Sequence, residues 1–426
     1  MAPRPPTLTA KALQALLVRI GSASSGNKGS LFDRFKQDLA CASSLRRLVQ
    51  VEGNGKTVHN QRDLRIMSID MGIKNLAYCV ADLRCSSSLL NTYNQPNAAV
   101  NISAWKKIDL IKRTHEYHTG SSNLGNVEET DADEDLDPYS LAVLSRTAHR
   151  LVTQEVLGYE PDIILIEKQR WRSGGGSAIQ QWTIRVNTLE AMLWAILETQ
   201  KGSAQIDARG KSASTKRDYE VFGIDPKRVG HYWLEQHARA VAEKTRSEAP
   251  TLPMSPSDEE SAQGKKLSRS KAEKKAKISL LRSWLALNPA SNALSTPLSY
   301  PEITFTFDPD TEPIRQAIYA PQKSAGRNKA AKRLATKEPQ DAASELAVGT
   351  IADAELNKLD DVTDCFLQAA AWVAWELNKL QLLNARKSEG EEGEESALLD
   401  EAAVLRMIQH TQWTKEELAQ NRTSGS

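Results

Sequence analysis

Five carboxylates carry the chemistry this sequence offers. Asp70 ends a segment from Leu64 that reads as a strand. Glu167 closes a short apolar run, Ile163-Ile164-Leu165-Ile166. Asp360, Asp361 and Asp364 gather just ahead of an Ala-rich apolar stretch. On a helix, residues three and four apart share a face, so Asp364 can sit beside Asp361 or beside Asp360. Each acid alone has a plainer role. An Asp at a strand end often serves the turn, Glu167 could pair with Arg170, and Asp360 and Asp361 could cap a helix. Asp364 is harder to assign that way, because it precedes Cys365 and Phe366 on what reads as a core face, and a buried acid needs a partner or a metal. Together the acids meet one chemical need. Phosphodiester hydrolysis requires an activated water and a stabilised leaving oxygen, and two divalent ions roughly 4 Å apart supply both when a few carboxylates hold them. Mg²⁺ suits such oxygen donors. No H-E-x-x-H zinc motif, Walker loop or Gly-x-Ser-x-Gly elbow competes.

The elements that must position these acids read as α/β. Leu64–Asp70 reads as a strand ending in a carboxylate, Gly72 permits a sharp turn, and Leu76–Val80 returns as a second strand, with Asn101–Ile111 as a third, so the domain opens on a meander. The 163–166 run reads as a buried strand. Helices are expected at Leu141–Leu157, Ile179–Leu197, Pro226–Trp233, Ile278–Leu287 and Leu359–Leu380, and strands at Glu220–Ile224 and Ile303–Phe307. The helix from Ile179 is apolar on several sides, so it is buried or meets a partner. Ahead of this domain, residues 1–41 read as two short helices: Thr9 caps the first, Gly21 stops it, and Ser30 with Asp33 forms a capping box for the second. Residues 42–62 read as a linker. Residues 243–271 and 321–357 read as low-complexity insertions, and 381–426 as a loose acidic tail with a short helix near 398–409.

Composition bounds the partners. The chain has 426 residues, 55 Lys plus Arg and 54 Asp plus Glu, a net charge of +1 that conceals blocks. Residues 1–60 hold nine basic and three acidic residues, 265–282 hold eight basic and one acidic, and 128–137 hold seven acidic and no basic residue. Local charge is therefore the guide to an anionic partner. The four cysteines (Cys41, Cys79, Cys85, Cys365) form no C-x-x-C pair, which argues against a structural zinc site or a disulfide framework. No apolar run reaches the roughly 18 residues of a membrane span, and the Pro-rich start lacks a secretory core.

Three segments resemble one family. Ser68-Ile69-Asp70-Met71-Gly72-Ile73-Lys74-Asn75-Leu76-Ala77 looks like the opening of the fungal mitochondrial Holliday junction resolvases. Ile166-Glu167-Lys168-Gln169-Arg170-Trp171-Arg172-Ser173-Gly174-Gly175 resembles their second motif, and Lys358-Leu359-Asp360-Asp361-Val362-Thr363-Asp364 their third. The resemblance covers roughly residues 64–240, 274–310 and 358–380. It implies an RNase H-like mixed sheet flanked by helices, related to the RuvC-type resolvases, in a mitochondrial homodimer that nicks two opposing strands of a four-way DNA junction with Mg²⁺ or Mn²⁺, two ions per site. Carried over, Asp70, Glu167 and Asp364 are metal ligands, with a fourth from Asp360 or Asp361. The first helical pair is similar to a SAP module, through Leu8, Leu13, Leu16, Leu17, Gly26, Lys28, Leu31 and Arg34. Its alternative is a plain two-helix extension packed on the core. Residues 1–10 make a poor presequence, so targeting would be internal or use the helix at 9–20.

Basic residues near the acids are expected to hold phosphates: Lys74, Arg170 and Arg172, with Gln169 beside them, and Lys28 and Arg34 in the first unit. Trp171 either stacks on an exposed base or anchors the loop. The lysine block 265–277 either tracks a duplex arm or is a solvated linker. Two other readings stand beside junction resolution: a general RNase H-like nuclease acting on hybrids or single strands, and a nucleic-acid scaffold whose acids are structural.

Overall fold

Alternation along the strands decides which residues face which layer. The computed structural model describes residues 7–40, 63–84, 98–113, 137–169, 180–207, 219–234, 269–286, 293–295, 303–319, 359–387 and 399–410. In chain order the elements are α1 (Ala10–Arg19), α2 (Lys28–Ala40), β1 (Leu64–Asp70), β2 (Leu76–Leu83), β3 (Ala98–Ile108), α3 (Leu141–Arg150), β4 (Ile163–Glu167), α4 (Gln181–Asp207), β5 (Glu220–Ile224), α5 (226–234), α6 (Arg269–Ala286), β6 (Ala293–Ser295), β7 (Ile303–Phe307), α7 (Glu312–Tyr319), α8 (Leu359–Lys387) and α9 (Glu401–His410). The expected linker 42–62, nearly all of the two insertions, and Arg170, Trp171 and Arg172 lie outside the described residues.

The seven strands form one sheet in the order β5-β4-β1-β2-β3-β7-β6. β1, β2 and β3 are an antiparallel meander, β4 lies parallel to β1, and β5 parallel to β4. This 3-2-1-4-5 arrangement is that of an RNase H-like α/β fold, extended here beyond β3 by β7 and β6. Ile66, Ala77, Cys79, Ile163 and Leu165 point to one face, covered by α5, α6, α7 and α8. Met67, Ile69, Tyr78, Val80, Ile164 and Ile166 point to the other, covered by α3 and α4. With both faces covered, the central strands are almost wholly buried, as continuous apolar runs require.

α8 is the central helix. It is buried nearly all round, as its run of Ala, Trp, Phe and Leu demands. Phe366 packs against Trp105 with ring centroids 5.1 Å apart and against Phe305 at 5.0 Å. Such pairs each add about 0.5–1.5 kcal/mol beyond area burial.

The ends of the chain differ from expectation. α2 begins at Lys28, not at Ser30: Asn27 Oδ1 accepts the Ser30 N–H at 2.9 Å, so Asn27 is the cap and no Ser30–Asp33 box forms. Thr9 caps α1 through the Ala12 N–H at 3.1 Å. The acidic tail is in part packed rather than loose. α8 runs on through 381–387, and Leu382, Val404, Met407 and Ile408 join Leu13, Leu16, Leu17, Leu31 and Phe35 in a third apolar cluster. The N-terminal pair is also fastened to the core. Asn378 Nδ2 donates to the Arg19 carbonyl at 2.7 Å, and Arg228 donates to the Gly21 carbonyl at 3.1 Å. Gly21 has φ +74° and lies against the Trp375 ring, so close that an added Cβ would fall 2.2 Å from it. Only glycine meets both demands.

α6 begins at Arg269, well before the expected Ile278, so Lys274 and Lys277 belong to a packed helix and not to a solvated linker. β6 and α7 were not visible as elements in the sequence: three residues and eight residues are too short for a periodic signal.

Candidate metal centre

The sheet register brings the first two acids together. β1 and β4 pair in parallel with Ser68 opposite Leu165 and Ile69 opposite Ile166. Asp70 and Glu167 come next on each strand and share the parity of Ser68 and Leu165, so both project toward α8 from neighbouring strand ends. Their carboxyl groups are within hydrogen-bonding reach of each other. Gly72 makes the turn that follows close-packed: a Cβ there would lie 3.0 Å from the Asn75 carbonyl.

α8 supplies the other three acids, and its position on the sheet is set by side-chain donors to its backbone. Trp105 Nε1 donates to the Val362 carbonyl at 2.9 Å, Ser68 Oγ to the Cys365 carbonyl at 2.8 Å, and Trp233 Nε1 to the Leu367 carbonyl at 2.9 Å. These contacts from β3, β1 and α5 fix the first turns of the helix over the ends of β1 and β4.

Electrostatics follow from this crowding. Asp70 is 8% exposed. Burial holds its carboxyl well above the ordinary range, and the charges of Glu167, Asp364 and Asp361 push it further the same way. Asp364 is pushed up to about 6, chiefly by burial and also by Glu167 and Asp360, while Lys277 opposes the rise. Three lysines answer the negative charge. Lys277 Nζ lies 3.2 Å from Asp364, Lys107 Nζ lies 3.3 Å from Asp361, and Lys274 pairs with Asp360. Lys277 is itself buried, its side chain 8% exposed.

Among the described residues, no three acids close on one point tightly enough to enclose a cation as they stand. The lysines explain the spread, since each draws a carboxylate of α8 toward itself. The donor set nonetheless fits a hard divalent ion. It is all carboxylate oxygen, and the charge of Glu167 beside the buried Asp70 favours a proton or a cation there.

The remaining expected residues fall as follows. Lys74 is exposed in the turn after Asp70. Gln169 Nε2 donates to Glu167 at 3.4 Å, and its backbone N–H donates to Glu190 at 2.9 Å. Lys28 pairs with Glu401 at 2.8 Å, across to α9. Arg34 donates to the carbonyls of Ala23 at 2.6 Å and Ser25 at 2.9 Å, so it clasps the loop between α1 and α2. Sequence reasoning missed Lys107, Lys274, Lys277 and Glu190. Only Glu190 had a visible signal, an acid on an apolar helix. Burial raises its carboxyl, and it holds the backbone just after Glu167.

The chain is similar to several proteins that carry names. The mitochondrial cruciform cutting endonuclease 1 of Schizosaccharomyces pombe is 30% identical over 170 residues, covering 40% of this chain and 52% of that protein. The chain thus matches about half the length of that relative. The protein of the same name in Saccharomyces cerevisiae is 24% identical over 327 residues, 76% of this chain and 72% of that one. Among solved structures, the yeast mitochondrial Holliday junction resolvase Ydc2 aligns with a TM-score of 0.40 and 18% identity, over 87% of this chain and 95% of its own. Residues 66–382, which hold all five acids and exclude α1, α2 and α9, match a family throughout, and the chain belongs to that family, mitochondrial resolvase Ydc2 / RNA splicing MRS1.

Proposed function

We propose that this protein is a mitochondrial, divalent-metal-dependent endonuclease that cuts four-way DNA junctions by paired nicks. The observation that carries the reading is the convergence of Asp70 and Glu167 at adjacent parallel strand ends beneath the first turns of α8. The names of the relatives supply the substrate class and the compartment.

Asp70, Glu167 and Asp364 would hold the cations. The fourth ligand would be Asp360 or Asp361: the charge of Asp361 acts on Asp70, and that of Asp360 acts on Asp364. Two Mg²⁺ or Mn²⁺ ions, when bound, would activate the attacking water and neutralise the scissile phosphate. The chain's own groups do the rest. Asp70 must give up the proton that burial favours. Lys277 and Lys107 offset the charge of the α8 acids. Lys74, in the exposed turn after Asp70, would meet the phosphate backbone. Gln169 is tied to Glu167 and Glu190, and Arg170 and Arg172, outside the described residues, would hold phosphates. Lys28 and Arg34 are assigned to DNA only through the resemblance of the first unit to a SAP module, since Lys28 pairs with Glu401 and Arg34 with the Ala23 and Ser25 carbonyls. Two opposing nicks call for two sites related by a two-fold axis, hence a homodimer. Trp182 and Ile184, 43% and 46% exposed at the start of α4, support a partner at that helix end. None of the described helices is long and apolar enough to cross a membrane.

The test is cleavage of a labelled four-way junction beside matched duplex, single strand, RNA–DNA hybrid and structured RNA. Symmetric nicks in the junction alone are expected. Preferred cleavage of the hybrid would replace the reading with a general nuclease. Binding of any of these without cleavage under Mg²⁺ or Mn²⁺ would replace it with a scaffold.

A further inference from the structure

Gln368 is out of place by composition. It is 3% exposed, on a stretch of α8 otherwise made of Cys, Phe, Leu, Ala and Trp. Burying a primary amide costs free energy unless its groups are bonded. Its Nε2 faces three oxygens: Ser68 Oγ at 3.1 Å, the Ile69 carbonyl at 3.3 Å and the Leu165 carbonyl at 3.4 Å. Two of the three can only accept, so the orientation of the amide is set. Ser68 in turn donates to the Cys365 carbonyl at 2.8 Å, which closes the network.

The offsets matter. Ile69 immediately precedes Asp70, and Ser68 precedes it by two. Leu165 precedes Glu167 by two, and Gln368 follows Asp364 by one helical turn. One side chain therefore joins the three backbone segments that bear the three acids, each within a residue or two of the acid on the strands.

We propose that Gln368 is a positioning residue: its amide sets the separation of Asp70, Glu167 and Asp364, and thereby the affinity of the site for divalent cations. This rests on the metal-dependent cleavage proposed above. Partners that orient metal ligands without touching the metal change affinity by about 10–100-fold when removed.

The experiment measures Mn²⁺ binding to the full chain by electron paramagnetic resonance, with thermal unfolding in EDTA as the stability control. Gln368→Met keeps the length and removes the donors. The expected result is Mn²⁺ affinity at least about 10-fold weaker and a matching rise in the Mn²⁺ concentration that half-activates junction cleavage. Asn378→Leu, buried further along α8 where it bonds Arg19, should lower stability without moving Mn²⁺ affinity. Ser68→Ala removes one of the three acceptors and the bond to Cys365; at least about threefold weaker binding is expected, and this variant carries the test if Gln368→Met does not fold. Unchanged Mn²⁺ affinity in the folded variants, with wild type binding and cleaving, would overturn the inference and leave the function standing. Wild-type protein that neither binds Mn²⁺ nor cleaves would overturn both.

Discussion

Asp364 gives the sharpest stability prediction. Burial raises its carboxyl from the ordinary 3.8 to about 6 in the folded protein. The folded state then holds the proton more tightly than the unfolded chain does. Stability from this group is therefore lost as pH rises from about 4 to about 6, and the loss is complete above that window. Without metal, the cost comes to about 1 kcal/mol at pH 4.5 and about 3 kcal/mol at pH 7.5, a change of about 2 kcal/mol. The side chain is 26% exposed, so solvent trims this to about 1–2 kcal/mol. Asp364→Asn removes the titration. It also leaves Lys277 with only Glu273, 3.8 Å away, a loss that is nearly constant over the same range. Urea unfolding of wild type and variant in EDTA, at steps between pH 4.5 and 7.5, isolates the pH-dependent part. The variant should gain about 1–2 kcal/mol on wild type across the range. Saturating Mg²⁺ should shrink that gain, because the cation favours the ionised carboxylate. A difference that stays constant to within about 0.5 kcal/mol would refute the reasoning and place Asp364 among ordinary carboxylates.

Three other substitutions follow from the geometry. Gly21→Ala meets both a positive φ and the Trp375 ring, so unfolding by denaturant should show a loss of about 2 kcal/mol or more. Trp105→Phe deletes the donor to Val362 and shrinks a buried ring, so a loss of more than about 1 kcal/mol is expected in the same assay. Lys277→Met removes the cation that opposes the rise of the Asp364 carboxyl, so the acid limb of the cleavage–pH profile should move up by about 1 unit or more.

The sheet and the strand acids were legible because they follow from local pattern. The strand-like segment Leu64–Asp70 and the apolar run 163–166 place Asp70 and Glu167 at strand ends, and two covered faces follow from a continuous apolar strand. Asp360, Asp361 and Asp364 were legible as a helical cluster, but local spacing could not choose among them. What the sequence hid was long-range pairing. Lys274 and Lys277 sit in a lysine-rich stretch whose composition reads as solvated, and only the acids of α8, far along the chain, give Lys274 a partner and Lys277 a reason to be buried. The same holds at the ends. Leu382, Val404, Met407 and Ile408 look like scattered apolar residues in an acidic tail until α1 and α2 supply their partners. Gln368 was visible as a polar residue in an apolar helix, yet its acceptors lie on two strands that local spacing does not connect to it.

The central claim is that Asp70 and Glu167 work as one metal-dependent cleavage centre, and one comparison tests it most directly. Wild type, Asp70→Asn and Glu167→Gln would be given a labelled four-way junction with Mg²⁺ and with EDTA, with binding measured in parallel. Both substitutions are near-isosteric, so junction affinity should hold within about threefold while the Mg²⁺-dependent nicking rate falls at least about 100-fold in each. Nicking that persists in either variant, or that proceeds in EDTA, would contradict the account.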